Sequence, residues 1–107
     1  MRGIMHVETA PASAEAADAY HDWYEAHIRE IAEVDGVVAV HRYASLDDGG
    51  GRSIAIYELV GDDLEEVAAR ITAGASSRTP PPDGVLQLDP PPTVRYFELI
   101  SEYDPAD

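Results

Sequence analysis

Four histidines and six tyrosines carry most of the proton chemistry open to this 107-residue chain. It has no cysteine, and its seven basic residues are all arginine. A thiolate nucleophile, a cysteine-held metal, a disulfide frame and a lysine Schiff base are therefore excluded together. An imidazole titrates near neutral pH and can move a proton, and a phenol can donate to a carbonyl or phenolate oxygen. His27 is the most suggestive of these groups, because it closes the run Trp23-Tyr24-Glu25-Ala26-His27. At about 100° per residue, Ala17, Tyr20, Trp23, Tyr24, His27, Ile28 and Ile31 fall in one arc of a helix. His21, Asp22, Glu25, Arg29, Glu30 and Glu33 fill the rest. His27 thus belongs to the apolar stripe. A histidine there is either a packed residue satisfied by one partner or a desolvated acid or base.

The remaining candidates lie in segments that alternate with period two. Met5 and Val7, Val38 and Val40, Ile54 and Ile56, and Phe97 and Leu99 form aliphatic sets. The alternate positions hold His6 and Glu8, His41 and Tyr43, Tyr57, and Tyr96 and Glu98. A face bearing such groups is costly to bury unless they pair with one another or with a ligand. It reads either as a cross-strand hydrogen-bond network or as a pocket facing the helical stripe. In the second reading His27, His41 and Tyr57 are the catalytic candidates, and His6, Tyr20, Trp23, Tyr24, Tyr43 and Tyr96 line the substrate. The aliphatic face would then meet a partner subunit. His21 and Glu25 lie four apart, but two ligands do not make a metal site. Gly49-Gly50-Gly51 lacks the lysine and following helix of a phosphate loop and reads as a loose turn. No serine nucleophile elbow is present.

These side chains need elements to hold them. Gly3 to Thr9 reads as a first strand, and Ser13 offers an N-cap to a long helix running to about Val34 and ending at Asp35-Gly36. Val37 to Ser45 and Ser53 to Val60 read as strands on either side of the glycine turn. Asp62 and Glu65 have the form of a capping box. Leu64, Val67, Ala68 and Ile71 then give a second amphipathic helix over about Asp63 to Ala73. Two proline triplets make the 75–93 segment a stiff, extended arm or lid around the apolar patch Val85-Leu86-Gln87-Leu88. Val94 to Tyr103 is a last strand, before a short acidic tail at 104–107. The order βαββαβ folds most simply as a ferredoxin-like α+β domain, a four-stranded antiparallel sheet with two helices on one face. The bare face calls for a second copy, so a homodimer is expected.

Length and charge set the outer bounds. At 107 residues one hydrophobic core is expected. A formal charge of −14 repels phosphate backbones, which makes nucleic acid a poor partner. No apolar run approaches the roughly 18 residues of a membrane span, and the first residues do not form a secretory signal. The expected location is the cytoplasm.

Trp23-Tyr24-Glu25-Ala26-His27-Ile28, Val34-Asp35-Gly36-Val37 and His41-Arg42-Tyr43 together resemble a series found in EthD-like proteins of the dimeric α+β barrel superfamily. That series is Trp-Tyr-x-x-His-hydrophobic, Pro-Gly-hydrophobic and Arg-Tyr, and Ile54 to Leu59 looks like the family's third strand. Asp35 stands where a proline often precedes the glycine. The resemblance implies a dimeric α+β barrel and a chemistry drawn from cofactor-free monooxygenases, isomerases, decarboxylases and cyclases. Substrates of that group are aromatic or polyketide-like. The expected activity is cofactor-independent acid/base chemistry by His and Tyr on a small hydrophobic oxygenated molecule, in secondary metabolism or aromatic breakdown. No cofactor and no metal are expected. The rival is a non-catalytic binding or partner module, and access to His27 separates the two.

Overall fold

The computed structural model describes residues 1–47 and 51–105. Part of the expected glycine turn and the end of the acidic tail lie outside the described residues. Strands β1 (Arg2–Thr9), β2 (Val37–Ala44), β3 (Ser53–Val60) and β4 (Thr93–Glu98) and helices α1 (Ala17–Ala32) and α2 (Leu64–Ala73) follow the order βαββαβ. The strands form one antiparallel sheet in the order β2-β3-β1-β4, with both helices on one face.

Local chemistry explains where each element stops. α1 begins four residues after the expected cap, because Ser13 closes only a preceding turn through its Oγ, which accepts from Ala16 N at 3.2 Å. It ends early, at Ala32, and the chain turns at Gly36, whose φ of +104° suits glycine. α2 is capped by Asp63, not Asp62: its Oδ1 accepts from Glu65 N at 2.9 Å. β4 is shorter than expected and ends at Glu98, opposite Gly3 of β1, with Leu99 N adding one more bond to Arg2 O at 2.8 Å. The 75–93 segment opens with a short 3-10 turn (Ala75–Ser77) and returns beside Ala10 to Ala12, with Ala12 N donating to Val85 O at 2.8 Å and Gln87 N to Ala10 O at 2.9 Å. Val85 thereby joins the core.

That core lies between sheet and helices. Met5, Val7, Ala55, Tyr57 and Leu59 meet Tyr20, Tyr24 and Ile31 of α1 and Val67 and Ile71 of α2. The sheet corrects the expected division of faces. Met5 pairs with Tyr57 and His6 with Ile56, so the outward face of β3 is aliphatic and its inward face carries the tyrosine. Residues directly opposite share a face. Met5, Val7 and Val40 therefore point to the helices, while Ile54, Ile56 and Phe97 share the bare face with His6, Glu8, His41 and Tyr43. A bulge between Val37 and Ala39 leaves Val38 exposed. The bare face is thus a mixed surface and not the aliphatic one expected.

Candidate functional site

Tyr24 is the centre of the polar cluster between α1 and the sheet. One turn of helix on either side brings Tyr20 and His27 to the same face, and their rings lie edge-on to Tyr24 at 5.8 and 5.6 Å. Trp23 stacks on His27 at 4.5 Å, and its Nε1 donates to Thr79 O at 3.1 Å, which ties the 75–93 segment to the helix. From the sheet, Tyr57 rises beneath this group. Arg42 lies opposite Ala55, diagonally across from Tyr57, and the small alanine leaves room for its side chain.

The hydroxyls are satisfied unequally. Tyr20 is fully buried and its hydroxyl shares hydrogen bonds with Thr9 Oγ1 and Ser53 Oγ, which end β1 and begin β3. Tyr57 is equally buried, and its hydroxyl makes no hydrogen bond of good geometry, although the Tyr24 phenol is near enough to act on it both as a weak hydrogen-bond acceptor and by charge. Arg42 Nη1 donates to Glu25 Oε2 at 2.9 Å, and its Nη2 reaches His21 Nδ1 at 3.3 Å and Ser53 Oγ at 3.4 Å. Its guanidinium lies 4.6 Å from the Tyr24 ring centre, a cation–π contact. Arg42 Nε, however, is buried without a partner, and so is His27 Nδ1. Three side chains that touch or flank Tyr24 therefore each keep a buried polar atom unused. Native interiors leave few such atoms, and a ligand or water is the usual reason.

Burial also sets the protonation states. It pushes the Tyr24 phenol up, and it pushes Tyr57 far up, helped by the adjacent Tyr24. The positive charges of Arg42 and Arg78 pull Tyr57 back without offsetting this. Tyr57 is accordingly a donor at neutral pH. His27 is lowered from 6.5, first by burial and then by Arg78, against a smaller opposing effect of Glu30. It is neutral at pH 7 and able to take a proton.

Of the residues singled out from the sequence, Tyr20, Trp23, Tyr24, His27 and Tyr57 come together here. His6, His41 and Tyr43 lie on the other side of the sheet, so no pocket unites all nine. His41 Nε2 is 3.1 Å from Glu58 Oε2 on that exposed face. His6 lies edge-on to Phe97 at 6.3 Å with its Nδ1 buried and unpartnered. Tyr96 stands apart on the edge strand, beside a hollow of about 350 Å³ shared with Leu64 and Ala68 of α2. Sequence reading passed over Arg42, although β-alternation places it inward as soon as His41 points outward.

No protein-family model matches the chain, and no curated protein matches it. Solved structures do share its fold. A candidate antibiotic biosynthesis monooxygenase from Bordetella bronchiseptica superposes with a TM-score of 0.65 at 13% identity, covering 94% of this chain and 100% of the other. A NIPSNAP-like domain protein from Burkholderia xenovorans gives 0.64 at 12%, covering 99% and 91%. A mutant form of SnoaB, a cofactor-independent oxygenase from Streptomyces nogalater, gives 0.57 at 12%, covering 96% and 95%. The chain shares with these structures a four-stranded antiparallel α+β fold of order βαββαβ.

Proposed function

We propose that this chain is a cofactor-independent enzyme that moves protons on a small aromatic or polyketide-like molecule, in secondary metabolism or aromatic breakdown. The observation that carries it is the set of unpartnered buried atoms around Tyr24: Tyr57 Oη, Arg42 Nε and His27 Nδ1. Neutral His27 takes a proton from a carbon beside a carbonyl, and the C–H electron pair moves to the carbonyl oxygen. Tyr57, held protonated, donates to that enolate. Where a double bond adjoins the enolate, return of the proton at its far carbon completes an isomerisation, and attack of the enolate carbon on an electrophile within the substrate completes a cyclisation. The fold shared with SnoaB and the EthD-like Trp-Tyr-x-x-His run of α1 support this reading. A homodimer joined through the bare sheet face belongs to it.

The test is uptake of solvent deuterium at the C1 methylene of 2-tetralone, followed by proton NMR without dioxygen. The protein should accelerate exchange, and His27→Gln should remove roughly 100-fold or more of that acceleration while the fold persists. Because burial lowers His27, the acid limb of the rate should fall below pH 6.5. Undiminished exchange in the variant would remove His27 from the chemistry. Dioxygen uptake once air is admitted would identify an oxygenase built on the same carbanion.

A second reading, a binding module without turnover, has its own observation. Tyr57 is fully buried, and none of the described surface hollows is lined by His27 or Tyr57. Tight binding of the ketone without deuterium exchange would favour it.

A further inference from the structure

We infer that the cluster around Tyr24 selects ligands whose oxygen is anionic, a phenolate, enolate or carboxylate on a flat hydrophobic frame, with Arg42 Nε and the Tyr57 hydroxyl as the donors that hold it. This rests on the small-molecule site proposed above and names its substrate class.

The placement of Arg42 is the first ground. Its two terminal nitrogens are taken up by Glu25, His21 and the buried Ser53, while Nε is sealed from solvent with no acceptor. Tyr57 sits diagonally across the same sheet face, and its hydroxyl likewise meets no acceptor in good geometry. Two buried donors on one face, neither meeting a protein oxygen in good hydrogen-bonding geometry, each suit a ligand oxygen. An anionic oxygen suits them better than a neutral one, because charge-assisted hydrogen bonds are roughly twice as strong.

Charge distribution is the second ground. Glu25 is the carboxylate partner of Arg42, and its side chain is 55% exposed against 15% for Arg42. Water therefore screens the acid more than the guanidinium, which leaves the interior side positive. Arg78 adds to this: it is half-buried and forms no ion pair among the described residues. In a chain of net charge −14, the Arg42 guanidinium against the Tyr24 ring, with Arg78 near enough for its charge to reach Tyr57, makes this cluster more favourable to negative charge than the surface as a whole. The flat frame follows from the walls, since Trp23, Tyr24 and His27 present ring faces and edges.

The experiment compares 2-naphthoate with its neutral counterpart 2-naphthalenemethanol by titration calorimetry on the wild-type chain at pH 7.5 and about 0.15 M salt. Naphthoate should bind at least tenfold more tightly. Arg42→Gln, checked for folding by circular dichroism, should abolish that preference by weakening naphthoate and leaving the alcohol unchanged. Equal or tighter binding of the alcohol to wild type overturns the inference while leaving a small-molecule site in place. Binding of neither ligand to folded protein overturns both. If Arg42→Gln does not fold, the wild-type pair still decides the charge preference, and Arg78→Gln should then reduce it. An unchanged preference in a folded Arg42→Gln removes Arg42 as its source.

Discussion

Tyr20 and Tyr57 are both sealed from solvent, yet one hydroxyl has two partners and the other has none in good geometry. Deleting each hydroxyl should therefore act in opposite directions. Tyr20→Phe leaves Thr9 and Ser53 without their shared partner and should cost on the order of 1 to 3 kcal/mol. Tyr57→Phe removes a buried group that nothing satisfies well and should stabilise the chain by on the order of 1 kcal/mol, while weakening any ligand held at that hydroxyl. Urea unfolding of the two variants beside wild type measures the difference. A loss in Tyr57→Phe equal to that in Tyr20→Phe would mean that the Tyr57 hydroxyl is satisfied in the free protein, which removes the main support for a ligand there.

Elements in this chain are joined at points that tolerate few side chains. Gly36, between α1 and β2, has φ of +104°, and a Cβ there would sit 2.8 Å from both methyls of Val67 in α2 and 3.1 Å from Val60 O. Gly36→Ala should cost on the order of 1 to 3 kcal/mol through backbone strain and this clash together. Val67→Ala in the same chain should recover only the steric part. If Gly36→Ala unfolds at the wild-type urea midpoint, the turn is not held as described. The helical stripe of α1 and the span of β3 were legible in the sequence, because 3.6-residue and two-residue periodicities survive in the pattern of apolar side chains. Facing was less so. Met5, Val7, Ile54 and Ile56 look like one aliphatic face, but the register Met5 to Tyr57 puts Met5 and Val7 with the tyrosine toward the helices and leaves the isoleucines on the other side. Hydropathy cannot show this, since a tyrosine is buried here and isoleucines lie on a face that no helix covers. The assembly of Tyr20, Trp23, Tyr24 and His27 was visible from one helix alone. Arg42 joins them only through strand pairing, which no single segment encodes.

Across the whole molecule, apolar side chains remain uncovered on the sheet side away from the helices. Val38, Tyr43, Phe97, Leu99 and Ile100 are exposed, and a hollow of about 410 Å³ lies among Ile4, Val38, Phe97, Leu99 and Ile100. Sedimentation at micromolar concentration should accordingly give about twice the 11.6 kDa chain mass. A lone 11.6 kDa species would leave that face without a partner copy. The strand order has a further consequence, for the time course of folding. β1 precedes the other strands of the sheet, yet it pairs with β3 and with β4, the last of the four, joining Gly3 to Glu98. During synthesis β1 has no neighbour until β3 has emerged, and its second edge stays open until β4 follows. Closing such distant pairs is slow. The nascent chain therefore passes through a stage in which its central strand is an unpaired edge, and a chaperone that covers extended apolar segments would act on it then.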